Sequence, residues 1–113
     1  MRYFDRSDFD CPCCGYNVTT ESFLNKIDET RHLAGVAFIV NSGCRCPKHN
    51  KKVGGADNSA HLRCAIDIRC LNSRTRKKIL KAVMYMGWRR VGIYKSFIHV
   101  DDDPKLPEAI WLG

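Results

Sequence analysis

A chain of 113 residues, 44% apolar and 27% charged, has the length of one domain around one core and leaves no room for a separate regulatory domain. Its longest apolar run, Val36 to Val40, is far too short to cross a bilayer, and the opening Met1-Arg2-Tyr3-Phe4-Asp5-Arg6 lacks the apolar stretch of a signal peptide. The net charge of +7 suits an anionic partner, but it is dispersed, and its tightest cluster, Arg74 to Lys78, has none of the interleaved aromatics of a base-stacking surface, which argues against nucleic acid.

Residues 1–18 read as an irregular segment around Cys11-Pro12-Cys13-Cys14-Gly15. From Thr20 to Ala34, residues Phe23, Leu24, Ile27 and Ala34 share one helical face, with Thr19 or Thr20 as cap and Gly35 as stop. The β-branched run Val36 to Asn41 predicts a buried strand, and Ser42-Gly43 a turn. Pro47 to Lys52 predicts a short helix that Gly54-Gly55 breaks. Ala65 to Cys70 alternates apolar and polar, as a strand does. Ser73 to Met86 is the strongest helix, with Ile79, Leu80, Val83 and Met84 at helical spacing, Asn72 or Ser73 as cap and Gly87 as stop. Arg89 to Tyr94 and Phe97 to Asp101 predict two short strands. The tail 104–113, with Pro104 and Pro107, is expected to wrap the surface. Helices and strands do not alternate regularly, so the chain predicts a single α+β domain with a mainly antiparallel sheet and two main helices.

Three segments carry candidate metal ligands: Ser59-Ala60-His61, Ala65-Ile66-Asp67 and Ile98-His99-Val100. Two histidines and one carboxylate are the donors of a catalytic zinc site, which keeps one position open. By spacing alone the signal is weak, because four histidines and twelve acidic residues offer several accidental triads.

The order of motifs is more specific. Ser59-Ala60-His61-Leu62-Arg63-Cys64-Ala65-Ile66-Asp67 resembles the Ser-x-His-x-x-Gly-x-Ala-x-Asp motif of the zinc D-Ala-D-Ala peptidases. That family includes the VanX and VanY vancomycin-resistance peptidases and phage endolysin peptidases, and it shares a zinc-site fold with the hedgehog signalling domain. Ser42-Gly43-Cys44-Arg45 through Asn50 is similar to its Ser-Gly-x-Arg segment, Gly92-Ile93-Tyr94 and Phe97 to Asp101 to its last strands, and Phe9-Asp10-Cys11 to the start of its short members. The resemblance implies a hedgehog-like fold over residues 9–103 and one catalytic zinc on His61, Asp67 and His99. It also implies that Arg45 binds substrate and stabilises the developing oxyanion, a task suited to a permanent guanidinium charge, and that Ser59 contacts the substrate backbone. The implied activity is hydrolysis of D-amino-acid-containing peptides of bacterial peptidoglycan, by a monomer without membrane insertion. A phage lysis enzyme held in the host cytoplasm until release to the wall, or a virion component, is the expected setting; a bacterial cytoplasmic enzyme is the alternative.

Two departures bear on mechanism. The motif glycine is Cys64. Many relatives carry Glu or Asp three residues before the last histidine ligand to activate the attacking water, and here that residue is Ser96, which cannot serve as a base at neutral pH. Asp101 shares the strand face of His99 and is the next candidate, as base or as acceptor for the second ring nitrogen of His99. The seven cysteines, at 11, 13, 14, 44, 46, 64 and 70, leave three states open: disulfides, buried thiols, or a structural zinc on Cys11, Cys14, Cys44 and Cys46; Cys64 is also a soft donor near the first site. Two further readings compete with the peptidase. A non-catalytic zinc-stabilised binding domain fits the missing acid, and a zinc-ribbon nucleic-acid binder ranks last because it leaves Arg45 and the His61/Asp67/His99 order unexplained.

Overall fold

Each of the two long helices is bounded by the residues suited to bound it. In the computed structural model, which describes residues 1–113, α1 spans Glu21–Ala34, with the Thr20 side chain accepting from the Phe23 amide and Gly35 in the left-handed region at its end. A three-residue strand, β1, follows at Val40–Ser42, and then the short helix α2 at Pro47–Lys52. A 3-10 turn at Ala60–Leu62 leads into β2, Ile66–Arg69. Helix α3 spans Ser73–Tyr85, capped by the Asn72 side chain on the Thr75 amide. Strands β3, Arg90–Ile93, β4, Phe97–Asp101, and β5, Ala109–Leu112, complete the chain.

The five strands form one sheet in the order β1-β2-β4-β3-β5, antiparallel except for the β3–β5 pair. Alternation along the strands divides its faces. Ile66, Ile68, Val91, Ile98 and Val100 join Leu24, Ile27 and Ala34 of α1 and Ile79, Ala82 and Val83 of α3 in the core. The isoleucines among them at 27, 66, 68, 79 and 98 are fully buried, each stabilising the fold by roughly 1.5–3 kcal/mol. Asp67, His99 and Gly92 have the opposite parity and stand in one row, with Asp67 opposite His99, His99 opposite Gly92 and Gly92 opposite Trp111. No helix is long and apolar enough to cross a membrane.

Two expectations are corrected. The run from Val36 does not form a buried strand: β1 begins only at Val40, Phe38 enters the core and Ile39 is 53% exposed. β1 is an edge strand with a register shift between Val40 and Ser42, so its apolar run anchors the α1–sheet connection through Phe38, with Val36 and Val40 packed partly buried beside it, rather than filling a ladder. The tail does not simply wrap the surface. After Pro107 it becomes β5, because Ala109-Ile110-Trp111-Leu112 can extend along the open edge of β3. The N-terminal segment is irregular as expected, apart from a 3-10 turn at Arg6–Phe9, and its Phe4 and Phe9 are buried.

Candidate metal centre

His61, Asp67 and His99 converge although they come from a loop and two strands. His61 sits in the 3-10 turn whose cap is Ser59, and the Ser59 hydroxyl accepts from the His61 amide at 3.2 Å. Asp67 and His99 are direct partners across β2 and β4. All three side chains are buried, and their ligand atoms lie within 4.8 Å of one another.

Hydrogen bonds behind the site orient both rings. The Gly43 carbonyl lies 2.7 Å from His61 Nδ1. A carbonyl only accepts, so Nδ1 carries the proton and the Nε2 lone pair faces Asp67 Oδ2 at 3.2 Å. His99 mirrors this: its Nε2 donates to Asp101 Oδ2 at 2.5 Å, and Nδ1 lies 2.9 Å from Asp67 Oδ1. With neutral rings, lone pairs of two nitrogens and a carboxylate meet with no proton between them, which calls for a cation. Such a pocket of borderline nitrogens and one oxygen suits zinc, whose tetrahedron with bonds of about 2.0–2.1 Å separates its donors by about 3.3 Å.

In their protonated form the same two rings compensate the buried carboxylate as a cation would. Burial pushes the Asp67 carboxyl up, but hydrogen bonds and charge from His61 and His99 hold it well below the usual carboxylate range. Burial favours neutral His99, yet Asp101 and Asp67 overcome it and raise its pKa. Asp101 is itself fully buried; against that burial His99, the Asp103 amide and Arg90 keep its carboxyl below the ordinary value.

Arg45 lies beside the donors. Its Nε donates to Ser42 Oγ at 3.1 Å, one terminal nitrogen donates to Asn50 Oδ1 at 3.1 Å, and the other is 3.6 Å from Asp67 Oδ2. Arg45, Ser59, His61, Asp67 and His99 all line a cleft of about 460 Å³. Asp101 does not: it lies beneath His99, bonded to the nitrogen that points away from Asp67. Ser96 is exposed in the β3–β4 turn, outside the cleft.

The cleft also contains residues that sequence reasoning missed, Arg90, Tyr94, Phe97 and Trp111. Tyr94 stacks on Phe97 with centroids 4.2 Å apart, and the Trp111 indole donates to the Tyr94 hydroxyl at 2.8 Å. The Arg90 guanidinium lies 5.0 Å from the Trp111 ring centre. Gly92 makes room for that ring, since a Cβ there would fall 2.6 Å from it. The alternation in residues 109–112 was the available signal for Trp111; nothing local marks Arg90.

The cysteines divide differently from the expected set. Cys44 and Cys64 form a disulfide, which removes Cys44 from the four-thiolate group and Cys64 from the candidate zinc donors. The disulfide also accounts for the motif departure: Cys64 has φ 79°, the left-handed region where glycine is at ease, and its bond to Cys44 holds a side chain there. The sulfurs of Cys11, Cys13, Cys14 and Cys46 gather within 4.8 Å of one another, and Cys70 stands apart, buried.

The sequence profile of the Peptidase M15 family matches residues 3–101, from the N-terminal segment to the last residue of β4. No curated protein matches the chain. The profile spans both histidines, the aspartate between them and Arg45, and by that match the chain belongs to the Peptidase M15 family of zinc-dependent metallopeptidases.

Proposed function

We propose that this protein hydrolyses D-amino-acid-containing stem peptides of bacterial peptidoglycan, as a carboxypeptidase or endopeptidase working as a monomer at the cell wall after release from a phage-infected host. The observation that carries the reading is the convergence of His61 Nε2, His99 Nδ1 and the Asp67 carboxylate at the floor of an open cleft beside a fixed arginine.

His61, Asp67 and His99 hold the zinc, which when bound supplies Lewis acidity toward a peptide carbonyl and the attacking water. The Gly43 carbonyl and Asp101 hold the two imidazoles in the tautomers that present a lone pair to the metal. Arg45, pinned by Ser42 and Asn50, presents positive charge where the carbonyl oxygen becomes negative. Trp111 and the Tyr94/Phe97 stack form an apolar wall for the peptide, and Ser59 at the rim is placed to meet its backbone. Asp101 is a positioning residue, since it reaches the cleft only through His99.

Mass spectrometry of muropeptides from purified peptidoglycan, with and without a chelator, tests the reading and identifies the bond cut. Chelator-sensitive cleavage that His99→Ala abolishes is expected. One observation favours the rival reading of a non-catalytic zinc-stabilised binding domain: Asp67 is the only carboxylate lining the cleft. Wall binding without any new muropeptide would establish that rival.

A further inference from the structure

The four clustered cysteines lie apart from the cleft and take no part in the chemistry proposed for it. Cys11, Cys13 and Cys14 come from the N-terminal segment, and Cys46 caps α2 directly after Arg45. Their sulfurs are 3.8 Å apart for Cys11–Cys46, 3.6 Å for Cys11–Cys13 and 3.3 Å for Cys13–Cys46, with Cys14 inside the same 4.8 Å group. A disulfide needs about 2.05 Å. A tetrahedral zinc with Zn–S bonds of about 2.3 Å places its sulfurs about 3.8 Å apart.

The backbone is arranged to hold such a group. The Cys11 amide donates to the Tyr16 carbonyl at 2.8 Å and the Gly15 amide to the Cys11 carbonyl at 2.8 Å, which folds residues 11–16 into a closed turn with Cys11 and Cys14 in Cys-x-x-Cys spacing and Cys13 between them. Two amides point at sulfur: that of Cys46 at Cys11 Sγ, 3.5 Å, and that of His49 at Cys46 Sγ, 3.4 Å. Amide donors to sulfur favour the thiolate, the form that binds metal. Cys11 is buried and Cys46 half-buried, while Cys13 and Cys14 are exposed and leave an entry path for an ion.

We propose that Cys11, Cys13, Cys14 and Cys46 bind a second, structural zinc that staples the N-terminal segment to the loop carrying Arg45. The two segments already meet at the backbone. The Cys44 amide donates to the Phe9 carbonyl at 2.8 Å, and Gly43 lies so close to Phe9 that a Cβ would fall 2.7 Å from the Phe9 Cα. The same loop supplies the Gly43 carbonyl to His61. A metal at the cysteines therefore closes a loop between residues 11 and 46 and steadies both Arg45 and the orientation of His61. The site stands independently of the peptidase reading.

Native mass spectrometry and elemental analysis of the full chain, purified anaerobically without chelator, provide the test. Two zinc ions per wild-type chain are expected, one in Cys13→Ser/Cys14→Ser, one in His61→Ala/His99→Ala, and two in Cys70→Ser. Cobalt reconstitution of the wild type should add the intense sulfur-to-cobalt absorption of a thiolate site, a readout that does not depend on any variant folding. Limited proteolysis should cut the N-terminal segment of Cys13→Ser/Cys14→Ser faster than that of the wild type. A wild-type chain with a single zinc that vanishes in His61→Ala/His99→Ala, a cobalt spectrum without the sulfur band, or a disulfide among these four cysteines would each overturn the proposal. Zinc at the cysteines alone would uphold it and sink the peptidase reading.

Discussion

Asp101 shares a strand face with His99, and that alone leaves two roles open to it. Its burial speaks for support of His99: Asp101 has no exposed surface, and its oxygens are taken by His99, the Asp103 amide and Arg90. Asp101→Ala should therefore weaken zinc binding about 10- to 100-fold, with Asp101→Asn milder because the amide oxygen still accepts from His99 Nε2. Competition with a chelating dye measures this; unchanged affinity together with lost turnover per bound zinc would return Asp101 to the role of base. Cys64 poses a second question at this scale. Removing the Cys44–Cys64 bond frees a loop of sequence separation 20, a loss of roughly 3 kcal/mol by chain entropy. Because Cys64 has φ 79°, Cys44→Ala/Cys64→Gly should unfold about 1 kcal/mol less readily than Cys44→Ala/Cys64→Ala, whose alanine must hold a left-handed backbone. Equal denaturant midpoints for the two would show that the position carries no strain.

At the scale of elements, β5 connects fold and cleft. It pairs with β3 so that Trp111 lies over Gly92 and 5.4 Å from the His99 ring centre, while Ile110 and Leu112 remain exposed. Gly92→Ala places a methyl 2.6 Å from the indole, so the ring must move, at a cost of about 1–3 kcal/mol. A lower Tm, altered tryptophan fluorescence and a raised KM for peptide are the expected results, with zinc retained; an unchanged KM would remove Trp111 from substrate binding. The N-terminal segment is tied to α1 through Asp28, which accepts from the amides of Arg2 at 3.1 Å and Tyr3 at 2.9 Å and from the Arg2 guanidinium at 3.2 Å. Burial pushes this carboxyl up, but those donors outweigh it and leave its pKa lowered. Its contribution is complete above the unfolded value, about 3.9, and disappears as pH falls through the folded one. Asp28→Asn should lower Tm at neutral pH yet lose less than the wild type on acidification below about pH 4. Parallel acid profiles would rule out Asp28 as a source of acid sensitivity.

Over the whole molecule, a Cα radius of gyration of 13.0 Å matches the roughly 13 Å of one domain of this length. The sheet separates two tasks: its helix-covered face supplies the core, and its other face, with the loops around it, supplies the donors and the cleft wall. The +7 charge belongs to the molecule rather than to any element. Attraction to anionic wall polymers is screened by salt. Activity on whole wall should therefore fall more steeply with added salt than activity on a soluble stem peptide, and equal slopes would leave the charge no part in targeting.

Features set within a few residues were legible in the sequence alone. Thr20, Gly35 and Asn72 bound their helices by local hydrogen bonding and backbone preference, and the alternation over residues 65–70 marked a strand around Asp67. The Arg45, His61, Asp67 and His99 segments were recognisable from their motifs. Features that depend on residues far apart in the chain were not. A cysteine's neighbours in sequence do not say which sulfur it will meet, so the Cys44–Cys64 bond, and with it Cys13 in place of Cys44 beside Cys11, Cys14 and Cys46, emerged only when the loops folded together. The same holds for β5, whose short apolar alternation becomes a strand only against the open edge of β3. It holds for Asp101 too: the His99 ring and the packed sheet, not its place two residues after a ligand, seal it from the cleft.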